Sequence, residues 1–196
     1  MTEKKLIKAA DIKTRAEERK KCPVEKALFY ITEFLSGPMC GKCFPCSMGS
    51  YEARVILNNI IDAAATDESL FRLRRIAAEM LVGSMCRKGK DTARFILEWM
   101  DTSAFGSHIE GICPDRTCSA YIEYRIISGE CDLCGECLPA CKYSAIHGEK
   151  KQAFISGYKP FEIKQTKCVR CGECIPVCPE EAIIIVDAKV KEPAGV

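Results

Sequence analysis

The sequence predicts an α+β fold, with a helical bundle followed by a smaller domain of cysteine-rich loops and short strands. Three observations predict it. Apolar residues recur at helical spacing in four segments of the first half. The pattern C-x2-C-x2-C-x3-C occurs twice near the C-terminal end, as CDLCGECLPAC and CVRCGECIPVCP. Between the two copies, KKQAFISGYKPFEIKQTK alternates apolar and polar positions as short strands do.

Residues 1–21, MTEKKLIKAADIKTRAEERKK, are charged throughout and read as a polar N-terminal arm, a solvated helix or a docking segment for a protein partner. Pro23 suits a first helical turn, Ala27, Leu28, Ile31, Phe34 and Leu35 share a face, and Gly37-Pro38 ends the helix. From Ser47 onward, Tyr51, Val55, Ile56, Asn59 and Ile60 support a second helix. Glu68 to Val82 predicts a third and Asp91 to Met100 a fourth. Their stripes, Trp99 included, read as the core of a bundle over 22–104. Residues 105–127 form a linker, 128–190 the second domain and 191–196 a tail. In the second domain, Ala153, Ile155, Tyr158, Phe161 and Ile163 mark strand positions, and Ile183 to Val186 a closing strand. His147, in a Gly-bounded stretch, reads as exposed and without a role.

Fifteen cysteines are far more than a typical soluble chain of 196 residues carries. An odd total and no secretory leader argue for metal chemistry in a reducing cytoplasm rather than disulfides. No run approaches the roughly 20 apolar residues of a membrane span. The basic N-terminal stretch lacks the aromatic interleaving and motifs of a nucleic-acid binder. No glycine-rich phosphate loop, acid–base pair or nucleophile constellation points to catalysis by this chain alone. The formal charge of +2 counts every thiol as neutral. Three four-thiolate iron–sulfur centres would move it to roughly −4, so the charge says little about partners.

Twelve of the cysteines form three sets of four with spacings that fit [4Fe–4S] clusters. In the bundle, Cys40, Cys43 and Cys46 precede the second helix and Cys86 lies between the third and fourth. Zinc is the alternative, since any four thiolates can build a tetrahedral site. Zinc modules usually present two separated CxxC pairs, whereas a CxxCxxC triplet with one distant partner is more typical of [4Fe–4S].

The run SGPMCGKCFPCSMG, followed about forty residues later by SMCRKGKDTARFILEWM, resembles the iron–sulfur-binding C-terminal domain of the NADH-oxidising flavoprotein subunit of respiratory complex I and its hydrogenase and formate dehydrogenase relatives. The resemblance implies that Cys40, Cys43, Cys46 and Cys86 hold a [4Fe–4S] cluster that exchanges electrons with a flavin. Full-length relatives place an FMN and NADH domain before this bundle, and only the charged arm precedes it here. Ser47 and Met48 follow Cys46 where the family usually has Arg-Glu. No flavin is therefore expected on this chain.

His108, Cys113 and Cys118, with Cys22, make a candidate Cys3His set suited to tetrahedral zinc. Bifurcating-hydrogenase relatives have a similar His and Cys-Pro-x-x-x-Cys segment, which implies a zinc-bound hinge before the second domain. Competing readings are a buried thiol, incidental cysteines beside an ordinary polar histidine, and a [2Fe–2S] centre.

In the second domain, Cys131, Cys134, Cys137 and Cys141 are matched at a constant offset by Cys168, Cys171, Cys174 and Cys178. Gly135-Glu136, Pro139 and Ala145-Ile146 recur as Gly172-Glu173, Pro176 and Ala182-Ile183, while Lys142 stands where Pro usually follows the fourth cysteine. This repeat resembles a bacterial two-[4Fe–4S] ferredoxin. The resemblance implies that the fourth cysteine of each phrase serves the other cluster, giving Cys131, Cys134, Cys137 and Cys178 to one and Cys168, Cys171, Cys174 and Cys141 to its neighbour. Lys142 and Arg170, beside ligands, either raise a cluster potential or are ordinary exposed charges.

The reading is an electron-relay subunit with three [4Fe–4S] clusters and a candidate zinc ion, working inside a multisubunit oxidoreductase. Its expected partners are a flavin- and NAD(H)-binding subunit and a ferredoxin or catalytic dehydrogenase or hydrogenase subunit. An anaerobic, electron-bifurcating complex combines these features. A cluster-based redox or oxygen sensor is the alternative, and a zinc-rich scaffold a third.

Overall fold

The computed structural model describes residues 9–151 and 159–188, which divide into two compact units, one running to Tyr121 and the other over Ile122–Ala188. The predicted strand positions Ala153, Ile155 and Tyr158 lie outside the described residues.

The first unit is a helical bundle: α1 (Ala9–Arg19), α2 (Pro23–Ser36), α3 (Phe44–Ile61), α4 (Asp67–Gly83), α5 (Arg87–Met100) and α6 (Ala104–Ile109), closed by a 3-10 turn at Ser119–Tyr121. Pro23 and Pro45 stand in the first turns of α2 and α3, where a missing N–H costs nothing. Thr66 opens α4 through a capping box in which the Ser69 hydroxyl accepts from the Thr66 N–H at 3.1 Å. The core gathers Tyr30, Ile31, Phe34, Leu57, Ile60, Leu73, Met80, Phe95 and Ile96. Tyr30 stacks on Phe95 with ring centroids 4.3 Å apart. Trp99 is only partly buried, its edge toward Phe95 and its face under the Lys26 ammonium at 4.1 Å.

Two boundaries differ from the sequence expectation. The charged arm contains α1, whose Ile12 and Ala16 are buried in the bundle core. Arg15 pairs with Glu33 at 2.8 Å and Lys13 with Glu98 at 3.0 Å, which ties this helix to α2 and α5. Ile12 and Ala16 stand one turn apart, so they form a seam too narrow for periodicity to reveal among so many charges. The expected linker is divided: α6 and the loop to Tyr121 belong to the first unit, while residues from Ile122 belong to the second.

The second unit holds β1 (Ile122–Ile126), a short helix α7 (Cys137–Ala140), β2 (Ile146–His147), β3 (Glu162–Ile163) and β4 (Ile183–Asp187). The first strand pairs antiparallel with the last, Ile122 opposite Asp187 and Ile126 opposite Ile183, and β2 pairs antiparallel with β3, Ile146 opposite Ile163. Each cysteine phrase is thus flanked by strands that pair with those flanking the other phrase. Ile122, Tyr124, Ile146, Phe161 and Ile183 join Cys137 and Cys174 in a small core. His147 is a half-buried residue of β2 rather than an exposed loop residue, because the hairpin packs it against its neighbours.

Candidate metal centres

In the bundle, three cysteines converge where helices begin. Cys43 is the N-cap residue of α3 and Cys86 that of α5, and Cys46 lies in the first turn of α3. Unpaired N–H groups and the positive end of the helix dipole favour negative charge at both positions. Burial pushes the Cys46 thiol up to about 11, and the neighbouring Cys43 and Cys86 sulfurs push it in the same direction. A buried thiol beside two further sulfurs suits a cation or a cationic cluster. Cys40 lies exposed on the preceding loop, which turns at Gly41 with φ +70°.

In the second unit, the lining of one small cavity includes Cys141, Cys168, Cys171 and Cys174. The lining of a second includes Cys131, Cys134, Cys137 and Cys178. Each therefore takes three sulfurs from one phrase and the fourth from the other. Burial raises Cys137 and Cys174 to about 11. The repeat extends to the backbone: Leu133 and Gly135 have φ of 62° and 76°, and Arg170 and Gly172 have φ of 57° and 79°. In the first copy the Cys134 N–H, between the two left-handed residues, donates to the Asp132 carboxylate at 3.0 Å. The four thiol donors that line each cavity fit a [4Fe–4S] cluster.

Arg170 is not an ordinary exposed charge. Its guanidinium donates to the Cys168 carbonyl at 3.1 Å and to the Ile122 carbonyl at 3.1 Å, tying the cysteine loop to β1. Lys142 is exposed.

The fourth site is fully enclosed. Cys22, His108, Cys113 and Cys118 are all buried, with their donor atoms within 4.8 Å of one another. His108 Nδ1 lies 2.6 Å from the Ala104 carbonyl and donates to it, which leaves Nε2 to face Cys22 Sγ at 3.5 Å and Cys118 Sγ at 3.4 Å. Donors around a tetrahedral zinc stand about 3.5–3.8 Å apart, given the usual Zn–N and Zn–S distances. Burial works to lower the His108 pKa, but hydrogen bonds to Cys113 and Cys22 push it up to about 10. Hydrogen bonds from Cys118 and Cys22 draw Cys113 down, while its bond to Cys113 drives Cys118 up. Tyr121 packs edge-on against the His108 ring at 4.7 Å and donates its hydroxyl to the Ile60 carbonyl. These ligands come from the start of α2, from α6 and from the loop before the second unit, so the site lies within the first unit rather than in a linker.

Sequence spacing did not single out Ser50, Ser84 or Gly89. Both serines are buried, and among the described residues their hydroxyls have no oxygen or nitrogen partner; the Ser50 hydroxyl faces the Cys46 thiol.

Comparison with known proteins divides the chain in the same way. Residues 26–109 match the NADH-ubiquinone oxidoreductase-F iron-sulfur binding region, and residues 130–182 match a 4Fe-4S dicluster domain. The chain is 34% identical over 134 residues to the NADP-reducing hydrogenase subunit HndC of Solidesulfovibrio fructosivorans, covering 67% of this chain and 27% of that protein. It is 34% identical over 70 residues to the NADP(+)-dependent formate dehydrogenase subunit beta of Moorella thermoacetica, covering 34% of this chain and 10% of that one. The chain thus spans about a quarter of the length of the first relative and a tenth of the second. No helix among the described residues is long and apolar enough to cross a membrane. The chain is an iron–sulfur protein that joins an NADH-ubiquinone oxidoreductase-F iron-sulfur binding region to a 4Fe-4S dicluster domain, and it is homologous to HndC over that protein's iron–sulfur part.

Proposed function

We propose that this chain is an electron-relay subunit with three [4Fe–4S] clusters, held by Cys40, Cys43, Cys46 and Cys86, by Cys131, Cys134, Cys137 and Cys178, and by Cys168, Cys171, Cys174 and Cys141. The observation that carries the reading is the pair of neighbouring cavities, each lined by four cysteines drawn from both phrases. When bound, the clusters supply one-electron transfer at low to moderate potential. The chain's own residues set the sites. Its thiolates hold them, the N-termini of α3 and α5 offset negative charge at the bundle site, and Arg170 fixes the second loop on β1.

Cys22, His108, Cys113 and Cys118 hold a zinc ion in this account. Four protein donors with no open position make it structural, a staple between α2, α6 and the loop to Tyr121.

The partner is a flavin- and NAD(H)-binding subunit of a multisubunit oxidoreductase, with a ferredoxin or a dehydrogenase or hydrogenase subunit at the other end of the relay; an electron-bifurcating complex is one such arrangement. Supporting a docked partner, Phe44, Met48, Tyr51 and Val55 stand exposed at helical spacing along α3, beginning beside Cys43, and Val82 and Met85 are exposed near Cys86. Full reduction of the anaerobically purified chain should take up three electrons. Uptake of two would remove the bundle from the relay, and uptake of none would leave a zinc scaffold.

A further inference from the structure

Two buried hydroxyls beside the bundle cysteines lack an explanation in packing. Ser50 is 0% exposed and Ser84 2%; among the described residues neither Oγ has an oxygen or nitrogen partner, and the Ser50 hydroxyl faces the Cys46 thiol, whose pKa it works to lower. Leaving a buried hydroxyl without an oxygen or nitrogen partner is unfavourable, so it marks a position where a partner belongs. Ser50 stands one turn beyond Cys46 on the buried face of α3. A serine or threonine in a helix commonly returns its hydroxyl to a carbonyl one turn back, as Ser47 does to Cys43 at 3.2 Å and Thr92 to Lys88 at 2.9 Å. Ser50 makes no such bond.

Ser84 is the C-cap residue of α4. The link is Gly89 in α5: a Cβ there would lie 2.6 Å from Ser84 Oγ and 3.0 Å from Cys46 Sγ. Only glycine at this position lets the Ser84 hydroxyl and the Cys46 sulfur share one space.

We propose that Ser50 and Ser84 are tuning residues whose hydroxyls donate to sulfur of the centre held by Cys40, Cys43, Cys46 and Cys86, raising its reduction potential. The inference rests on the reading that this set holds a [4Fe–4S] cluster. On reduction, one electron enters from the flavin-bearing partner, no bond forms or breaks, no proton moves, and the four-thiolate centre becomes one unit more negative. An O–H dipole aimed at sulfur favours the more negative state, which is one of the ways a protein sets such potentials. The centre of the bundle is thereby made a better electron acceptor than its ligands alone would make it.

The test is a redox titration followed by electron paramagnetic resonance on the full cluster-loaded chain and its Ser50→Ala, Ser84→Ala and double variants. Each single variant is expected to lower the equilibrium constant for reducing the bundle centre about tenfold, which for a one-electron couple is about 59 mV. The double variant should shift it about twice as far, with the two C-terminal centres unmoved. Loaded variants with an unchanged bundle potential would overturn the proposal. Should a variant fail to load, a structure of the loaded wild-type chain decides: hydroxyls on sulfur support the proposal, and hydroxyls turned to carbonyls or water overturn it. A wild-type chain with no bundle centre defeats both this inference and the relay reading, whereas a present but insensitive centre defeats this inference alone.

Discussion

At the scale of single residues, the grouping of the cysteines was legible because its short, repeated spacing is written in the chain. Cys141 lines the cavity of the second phrase and Cys178 that of the first, which gives the proposed exchange of fourth ligands a distinct signature. Cys178→Ser should perturb the spectrum of the centre built on Cys131, Cys134 and Cys137, and Cys141→Ser that of the other, as read by Mössbauer or paramagnetic resonance spectra. A variant that disturbs only the centre of its own phrase contradicts the assignment. His108→Ala should abolish zinc retention and lower the thermal midpoint, because a structural site contributes its binding energy to folding. Unchanged zinc content would dismiss His108 as a ligand. In the metal-free folded chain Cys46, Cys137 and Cys174 ionise only near about 11, above the ordinary thiol value, which the unfolded chain keeps. The unfolded state thus loses protons first, and the stability of the metal-free chain should fall as pH rises from about 9 toward 11. A denaturation midpoint that rises between pH 8 and pH 10 would contradict this. Ser50 and Ser84 were not legible at this scale, since a hydroxyl has no spacing rule and only the fold brings Ser84 and Cys46 to the same face of Gly89.

At the scale of elements, periodicity located the four main helices, and the structure moved mainly their starts. Helices α3 and α5 begin at Phe44 and Arg87, ahead of the expected Ser47 and Asp91, because cysteines occupy their N-cap positions and the first turns belong to the metal site rather than to an apolar stripe. The same displacement of function onto helix ends hid α1, where charges obscure Ile12 and Ala16. Ile12→Ala should destabilise the first unit by about 2 kcal/mol or more, as deletion of a fully buried aliphatic side chain does. A loss within a few tenths in chemical denaturation would show that α1 is not part of the core. In the β2–β3 hairpin, a side chain at Gly148 would come within 2.7 Å of the Phe161 backbone, at φ +157°. Gly148→Ala should therefore cost about 1–3 kcal/mol and loosen the second unit, with faster hydrogen exchange at Lys164, whose amide donates to the Ala145 carbonyl at 2.8 Å. Unaltered exchange would contradict that account.

For the whole molecule, the order of the two iron–sulfur domains was readable, whereas their boundary was not. Residues of the expected linker fold into the first unit because His108, Cys113 and Cys118 reach back to Cys22, 86 residues from His108, and no local pattern announces so distant a partner. The central claim is that one chain carries three [4Fe–4S] clusters and one zinc. The most direct measurement is the iron, sulfide, zinc and flavin content of the anaerobically purified chain. The account predicts about twelve iron, twelve sulfide and one zinc per chain, with no flavin. Eight iron with additional zinc would contradict it, reducing the bundle to a structural zinc module and leaving the electron path confined to the second domain.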